Sequence, residues 1–585
     1  MPEPALDQIR LYFQLFEPDR YAAFASDDEM CREYRAMMDK VQASYDSVCP
    51  RLTEETTTEE VWIPCPDGVR LRTVLVLPDG LPGPYPTIVM RSCYPFQEGM
   101  LHNQAVGFAR HGFAVAYQWC RGLGGSEGQW EPNVRDRADG LSLVNWLQNQ
   151  DWVKNMGYVG GSYLSMTGWI MADAIPDKMK TMYLTVYGTV RHTSAWREGL
   201  FRQDILTAWA KGNAGFPIAA DYLESARFRP QVEVDEKLWG CRLDWYRDWI
   251  THPSKADPYW AEGHWALLES IPGKLNIPVF VGEGWYDHHL GSMLEGFATL
   301  SAEAARHSVL QINPGNHSLT PVIPGQPRQK NAAIDEAAQQ MRWFYNILVK
   351  EELPPPGVDY YMIGADEWRH YPSYPPQPTG EAVFYLDGQH LSPSPGEASA
   401  RHYTYDPNDP VMSHGAESLF QLRGAHGGAL EQPGPDWRPD VLSYISDPLT
   451  APLDVVGPIQ ARLWVASDAP DTCFTIKVME VDKDGRAWHV RNGITTLGWR
   501  NDATEVQPYT GGPVEITLSC WDVAWQFQPG SRLRVDISSS NFPEYSIHPN
   551  TRELWSLADT VQTARQTVLS GPEYPSRLLL PLDKK

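Results

Sequence analysis

The stretch "KNMGYVGGSYLSMTGW" (Lys154–Trp169) decides how the chain is read. A short apolar run leads into Gly160-Gly161-Ser162, and a segment with helical character follows. A serine flanked by small residues at a strand-to-helix turn is where a nucleophile elbow belongs. The turn forces strained angles on the serine and stands its hydroxyl above the N-terminus of the next helix. Alone the pattern carries little weight, because Gly-Ser pairs are common at such turns. A base, an acid to orient it and donors for an oxyanion must come from elsewhere in the chain.

Around this turn, short apolar runs alternate with helix-length segments. "YPTIVM" (85–90), "FAVAYQW" (113–119), "GYVGG" (157–161), "MYLTVYG" (182–188), "IPVFVG" (277–282) and "VLQIN" (309–313) read as buried parallel strands. Helical segments such as 99–111 and the glycine-rich loop "RGLGGSEG" (121–128) separate them, as in an α/β parallel sheet. "VWIPCPDGVRLRTVLVLP" reads as a hairpin turning at Asp67-Gly68. Residues 1–55 read as a helical extension, with Met30, Tyr34, Met37, Met38 and Val41 on one face. Between 191 and 270 the strand pattern lapses. That segment carries Trp196, Trp209, Trp239, Trp245, Trp249, Trp260 and Trp265 among helix-like stretches, and reads as a cap over the carboxyl ends of the strands. For any single tryptophan, core is the commoner place. Two α/β segments result, 56–190 and 271–352. Beyond "LPPPG" (353–357), short alternating runs such as "IQARLWVASD" and "SRLRVDISSS" predict an all-β sandwich or jelly roll over 358–585.

Composition narrows the function. A chain of 585 residues exceeds one hydrophobic core. Its 49 Lys plus Arg against 73 Asp plus Glu give a net charge of −24, which disfavours nucleic acid and anionic membrane as partners. The opening "MPEPALDQIRLYFQLFEPDR" lacks the basic and apolar regions of a signal peptide, and no run is long enough to span a membrane. The eight cysteines form no CxxC pair and no metal-finger spacing, so reduced thiols and a cytoplasmic location are expected.

In an α/β-hydrolase arrangement the order is Ser, acid, His, each after a strand. "VFVGEGWYDHHL" offers Asp287 just past one apolar run, and "VLQINPGNHSL" offers His317 just past the next. His288 and His289 are adjacent, with no HExxH beside them, and do not read as metal ligands. The backbone N–H of Tyr163 is one candidate oxyanion donor, and Tyr94 of "IVMRSCYPF" a second. These residues predict a serine hydrolase that cleaves a small-molecule ester or amide, with no metal or organic cofactor.

Taken together, "RSCYPF", "WCRGLGGSEG", "GYVGGSYLS", "GWYD" and "NPGNH" resemble the motifs of the cocaine esterase and X-Pro dipeptidyl-peptidase family, the CocE/NonD serine hydrolases. "RLWVASDAPDTCFTIKVMEVDKDGRA" and "FQPGSRLRVDISSSNFPEY" are similar to its C-terminal jelly roll. The resemblance spans roughly residues 55–580. It implies an α/β-hydrolase fold with a helical cap and a jelly roll, nucleophile Ser162, acid Asp287, base His317, and an oxyanion hole of Tyr94 and Tyr163. It also implies homo-oligomers, although no interface is readable. Ser165 stands where the elbow's final glycine is usual, so packing there should differ. Gly315 replaces a usual tryptophan, which is expected to widen the pocket. Members that hold a substrate ammonium carry acidic residues after the catalytic Asp. Here His288 and His289 follow, and Glu283 is the nearest carboxylate, expected to cap the strand end. Carboxylic ester hydrolysis is therefore the first reading. An X-Pro dipeptidyl-peptidase, an α-amino-acid ester hydrolase or an acyltransferase with the same triad stay open as alternatives.

Overall fold

The computed structural model describes residues 6–583, apart from 17, 320, 322, 324–328 and 418–426. Three helices open the chain: α1 (Leu6–Phe16), α2 (Pro18–Ala23) and α3 (Asp27–Asp46). Ser26 caps α3 by accepting the Glu29 N–H at 3.2 Å, and the Glu29 carboxylate accepts the Ala25 N–H just before the cap at 2.8 Å. Along the expected apolar face, Met30 and Tyr34 are buried with Phe13, Met37 and Met38 pack against that cluster half-buried, and Val41 packs on the next cluster, where Tyr45 lies on Phe108.

The α/β part follows: β1 (Thr56–Pro64), β2 (Arg70–Pro78), β3 (Tyr85–Ser92), α4 (Glu98–Arg110), β4 (Ala114–Trp119), α5 (Asp136–Gln148), β5 (Val153–Gly161), α6 (Tyr163–Trp169) and β6 (Met179–Thr185). Next comes a helical stretch of α7 (Arg191–Ala195), α8 (Gln203–Gly212), α9 (Tyr222–Arg227), α10 (Asp244–Thr251), α11 (Pro258–Ala261) and α12 (Gly263–Ser270). One short hairpin, β7 (Trp196–Arg197) and β8 (Leu200–Phe201), interrupts it. The chain then returns to the sheet with β9 (Val279–Gly284), α13 (Leu290–Ala298), α14 (Ala302–Ala305), β10 (Val309–Asn313) and α15 (Glu336–Phe344).

The first sheet has ten strands in the order β1-β2-β4-β3-β5-β6-β9-β10, completed by β11 (Gly357–Met362) and β12 (Glu367–Tyr371). From β4 to β11 every pairing is parallel. Its central strands read as apolar runs because helices cover both faces. The segments expected as 271–352 and 358–585 divide between the two sheets as follows. The strand after "LPPPG" pairs with β10 (Val309↔Gly357), so the first sheet runs to Tyr371 and the second begins at Gly380. A β-branched, alternating run does not announce which sheet it will join. The remaining strands, from Gly380–Asp387 to Arg577–Leu582, form an all-β unit of 12 strands.

The two parts are locked together near the site. Ile363, between β11 and β12, exchanges backbone hydrogen bonds with Ala524 and Gln526. The Trp285 indole N–H donates to the Tyr361 carbonyl at 2.8 Å. Arg491, fully buried, lies over Trp285 (5.8 Å) and Tyr286 (5.2 Å). From the cap, Arg202 meets Glu544 at 3.3 Å with both side chains fully buried. A buried ion pair adds little net stability, but it fixes how the two surfaces register. Among the described residues no helix is long and apolar enough to cross a membrane. All eight cysteines are free thiols.

Gly291, in the first turn of α13, lies where the two parts pack closely. A Cβ there would overlap the Trp521 indole, which is itself held between the guanidinium groups of Arg197 and Arg202, each 5.2 Å away. Gly291→Ala is therefore expected to destabilise the protein by about 1–3 kcal/mol, the usual scale of overpacking. Denaturant unfolding monitored by tryptophan fluorescence checks this, and an unchanged midpoint would contradict the close packing.

Candidate active site

β5 delivers the chain to Ser162 and α6 leads away from it. Ser162 has φ 56° and ψ −128°, a conformation non-glycine residues rarely adopt. Its backbone is tied on both sides: its N–H donates to the Thr185 carbonyl at 3.0 Å, and its carbonyl accepts from Ser165 and Met166 at 2.8 and 3.1 Å. Gly160 is required, since a Cβ would strike the Leu164 carbonyl and the Ser165 amide. Ser165 itself is tolerated because the tight helix–strand contact falls at Gly168, whose Cβ would overlap the Tyr158 ring. The Ser165 hydroxyl is buried without a hydrogen-bond partner.

The acid and the base sit on two loops that share a backbone seam. The Trp285 N–H donates to the Asn313 carbonyl and the Tyr286 N–H to the Gly315 carbonyl, both at 2.9 Å. Gly315 corrects one expectation. Its missing side chain does not widen the pocket, because Asn313 and Leu319 fill that space and Gly284 packs against the Gly315 carbonyl. Asp287, fully buried, accepts the His289 N–H on Oδ1 (2.6 Å) and meets His317 Nδ1 with Oδ2 (2.6 Å). An acceptor at Nδ1 fixes the proton there, so Nε2 is free to accept the Ser162 hydroxyl at 2.8 Å. The chain Ser162–His317–Asp287 is thus continuous.

The groups around the triad are held neutral. Burial, then the neighbouring histidines, pushes His288 well below its ordinary range. Burial and then Arg191 do the same to His289. His289 Nδ1 contacts the Ser194 hydroxyl at 2.8 Å. Ligand atoms of Asp287, His288 and His317 lie within 4.8 Å of one another, but both ring nitrogens of His317 are already committed to Asp287 and Ser162. Glu283 is fully buried. Its Oε1 accepts the Gly284 N–H at 2.9 Å, and its Oε2 is buried without a hydrogen-bond partner. Burial and the charge of Asp287 push it well above the carboxylate range, so it does more than cap a strand end.

Tyr94 and Tyr163 line the same cavity of about 440 Å³ as Ser162 and His317. The Tyr163 N–H is the first of α6 and has no intrahelical partner by position. The Tyr163 ring is fixed by its hydroxyl, which donates to Asp136 at 2.6 Å and accepts from the Asn133 N–H at 2.7 Å. Asp136 is held in turn by fully buried Arg91, whose Nη1 donates to its carbonyl at 2.8 Å. The Tyr94 hydroxyl accepts the Trp209 indole N–H at 3.1 Å, which leaves its own proton to give. Burial pushes the Tyr94 phenol well above its ordinary range, so it stays a donor. Of the cap tryptophans, Trp196, Trp239, Trp260 and Trp265 are core, whereas Trp209 and Trp249 line the cavity. Asp136, Arg191 and the Trp209–Tyr94 bond went unread in the sequence. Only the charged "NVRDRAD" after the glycine-rich loop offers a signal for the first.

Comparison with known proteins agrees with this geometry. Residues 67–319 match the X-Pro dipeptidyl-peptidase (S15) family, and residues 353–579 match the X-Pro dipeptidyl-peptidase C-terminal non-catalytic domain. Cocaine esterase of Rhodococcus sp. (strain MB1 Bresler) is 31% identical over 576 residues, covering 91% of this chain and 99% of that protein. An α-amino acid ester hydrolase structure superposes with a TM-score of 0.76 at 22% identity, covering 92% of this chain and 98% of that one. An aminopeptidase from a marine-sediment Thaumarchaeota archaeon gives 0.77 at 20% identity, covering 90% and 96%. The chain belongs to the cocaine esterase and X-Pro dipeptidyl-peptidase (S15) family, and its fold is that of an α/β-hydrolase with a C-terminal all-β domain.

Glu283 supplies a test of the electrostatics. A carboxyl whose folded pKa is raised stays protonated after the unfolded chain has released its proton. Its contribution to stability is therefore lost as pH rises from the ordinary carboxylate range towards the folded value. Glu283→Gln copies the protonated acid and removes that slope. The variant is expected to gain on wild type by about 1.4 kcal/mol per pH unit above pH ~5 until the folded pKa is reached. Unfolding curves from pH 5 to 8 check this, and a pH-independent difference would mean that Glu283 is ionised.

Proposed function

We propose that this member of the S15 family is a serine hydrolase that cleaves a carboxylic ester through a covalent acyl-enzyme. The observation that carries the reading is the unbroken chain from the Ser162 hydroxyl through His317 to Asp287, at 2.8 and 2.6 Å. His317 Nε2 takes the Ser162 proton as Oγ attacks the ester carbonyl carbon. Asp287 stabilises the imidazolium and keeps the ring oriented. The Tyr163 N–H and the Tyr94 hydroxyl donate to the tetrahedral oxyanion. The intermediate collapses as His317 returns the proton to the departing alkoxide, which leaves as the alcohol. Water then attacks the acyl-enzyme with His317 again as base, and the acid leaves with Ser162 restored.

Several features support esters over amine-dependent substrates. Such substrates need a carboxylate to hold an ammonium. Asp287 is engaged, Glu283 lies behind it as a neutral acid, and the residues after Asp287 are neutral histidines. The cavity walls, with Tyr94, Phe96, Ile205, Leu206, Trp209 and Trp249, suit an apolar or aromatic portion of the substrate. The free thiols accord with a cytoplasmic enzyme.

Ser162→Ala is expected to abolish ester turnover while leaving the thermal unfolding curve in place. Wild-type rates in that variant would refute the nucleophile. Tyr94→Phe is expected to lower kcat by about 10²-fold with little change in KM, the scale of losing one oxyanion donor. An unchanged kcat would remove Tyr94 from the hole.

A further inference from the structure

Apolar and aromatic side chains dominate the cavity over Ser162, yet one of its walls carries a guanidinium, Arg191. Arg191 opens α7, just after the loop that leaves β6 at the carboxyl edge of the sheet. It is only 7% exposed. Its Nε has no hydrogen-bond partner, and among the described residues no carboxylate pairs with it. Its close contacts are two indole faces, Trp249 at 4.8 Å and Trp265 at 5.9 Å.

That environment is unusual for arginine. A buried charge is costly unless it is paired and hydrogen-bonded. Indole faces attract the cation from above, but they offer nothing to the N–H groups that radiate in the guanidinium plane. No residue of the cavity supplies the anion. His288 and His289 line the same cavity as neutral imidazoles. Among the described residues Glu336 is the one carboxyl lining the cavity. It accepts from Gln340 at 3.1 Å, and burial pushes it towards the neutral acid. The in-plane donors of Arg191 are left for whatever enters the cavity.

Building on the serine-hydrolase reading, we propose that Arg191 is a specificity residue and that the preferred substrate is an ester bearing a carboxylate. The carboxylate docks on the guanidinium fork while the ester carbonyl lies at Ser162. Planar, paired N–H···O bonds match carboxylate to guanidinium, and the two indoles hold the fork in one orientation. The net reaction on such a half-ester anion is water plus ester giving a dicarboxylate, an alcohol and a proton.

The test uses three matched esters: ethyl hydrogen adipate, its primary amide ethyl adipamate, and ethyl 6-aminohexanoate. Each is assayed with wild type, Arg191→Met, Arg191→Lys and Ser162→Ala. Methionine keeps the contact with the indoles and removes the charge. Wild type is expected to favour the carboxylate over the amide at least tenfold in kcat/KM. Arg191→Met should lower that ratio at least tenfold, and Arg191→Lys should restore part of it. A merely structural arginine would slow all esters together and leave the ratio unmoved. Binding is measured separately by calorimetry of benzoate and benzamide with Ser162→Ala and with Ser162→Ala/Arg191→Met. Benzoate should bind tighter than benzamide only when Arg191 is present. No carboxylate preference in wild type, or a preference for the amine, would overturn the proposal, as would equal binding of benzoate and benzamide. Absence of any Ser162-dependent turnover would instead refute the hydrolase reading, and the benzoate measurement would still judge the anion site. Should Arg191→Met not fold, the wild-type ratio and Arg191→Lys decide.

Discussion

The site depends on one backbone contortion. At φ 56° and ψ −128°, Ser162 holds a conformation that costs on the order of 1–3 kcal/mol for a non-glycine residue. The surroundings over-determine it: the Thr185 carbonyl takes its N–H, the first turn of α6 takes its carbonyl, and the bare Cα of Gly160 lets Leu164 come close. The first N–H of α6 follows directly from this bend, so one turn places both the Ser162 hydroxyl and the Tyr163 N–H that the proposed mechanism uses.

Around that bend, burial rather than pairing sets the charges. His288, His289 and Glu283 all lie within a few residues of Asp287, and all are driven to their neutral forms. Their neutrality leaves Asp287 without a rival for His317. Desolvation also keeps Tyr94 a phenol. A low-dielectric site strengthens each remaining hydrogen bond, and the price is that every buried polar group needs a partner. Arg191 is a charged group of the cavity wall whose Nε has no such partner.

Much of this was legible in the chain, for local reasons. Strands β3 to β6, β9 and β10 declared themselves as apolar runs because both faces of the central sheet are covered. Ser162, Asp287 and His317 were readable because each follows such a run, in an order that one fold imposes. What was hidden depends on contacts far apart in sequence. Arg91 and Asp136 anchor Tyr163 across the sheet, and Trp209 reaches Tyr94 from the cap, with no spacing to betray either. β11 and β12 fell largely inside the span expected to be all-β, yet they extend the first sheet, because nothing local in a run records which strand it will lie beside. Gly315 looked like a void, and only its fit against Gly284 and Asn313 explains why it is small.

The loop that carries Asp287 is gripped from both sides. Its backbone is sewn to the His317 loop, while Trp285 and Tyr286 lie beneath Arg491, and the Tyr286 hydroxyl donates to the His489 carbonyl at 3.4 Å. The all-β unit contributes no side chain to the triad, yet it forms the floor on which the acid rests. At this loop the two units are mechanically one: whatever loosens the Arg491 contact also loosens the seat of Asp287.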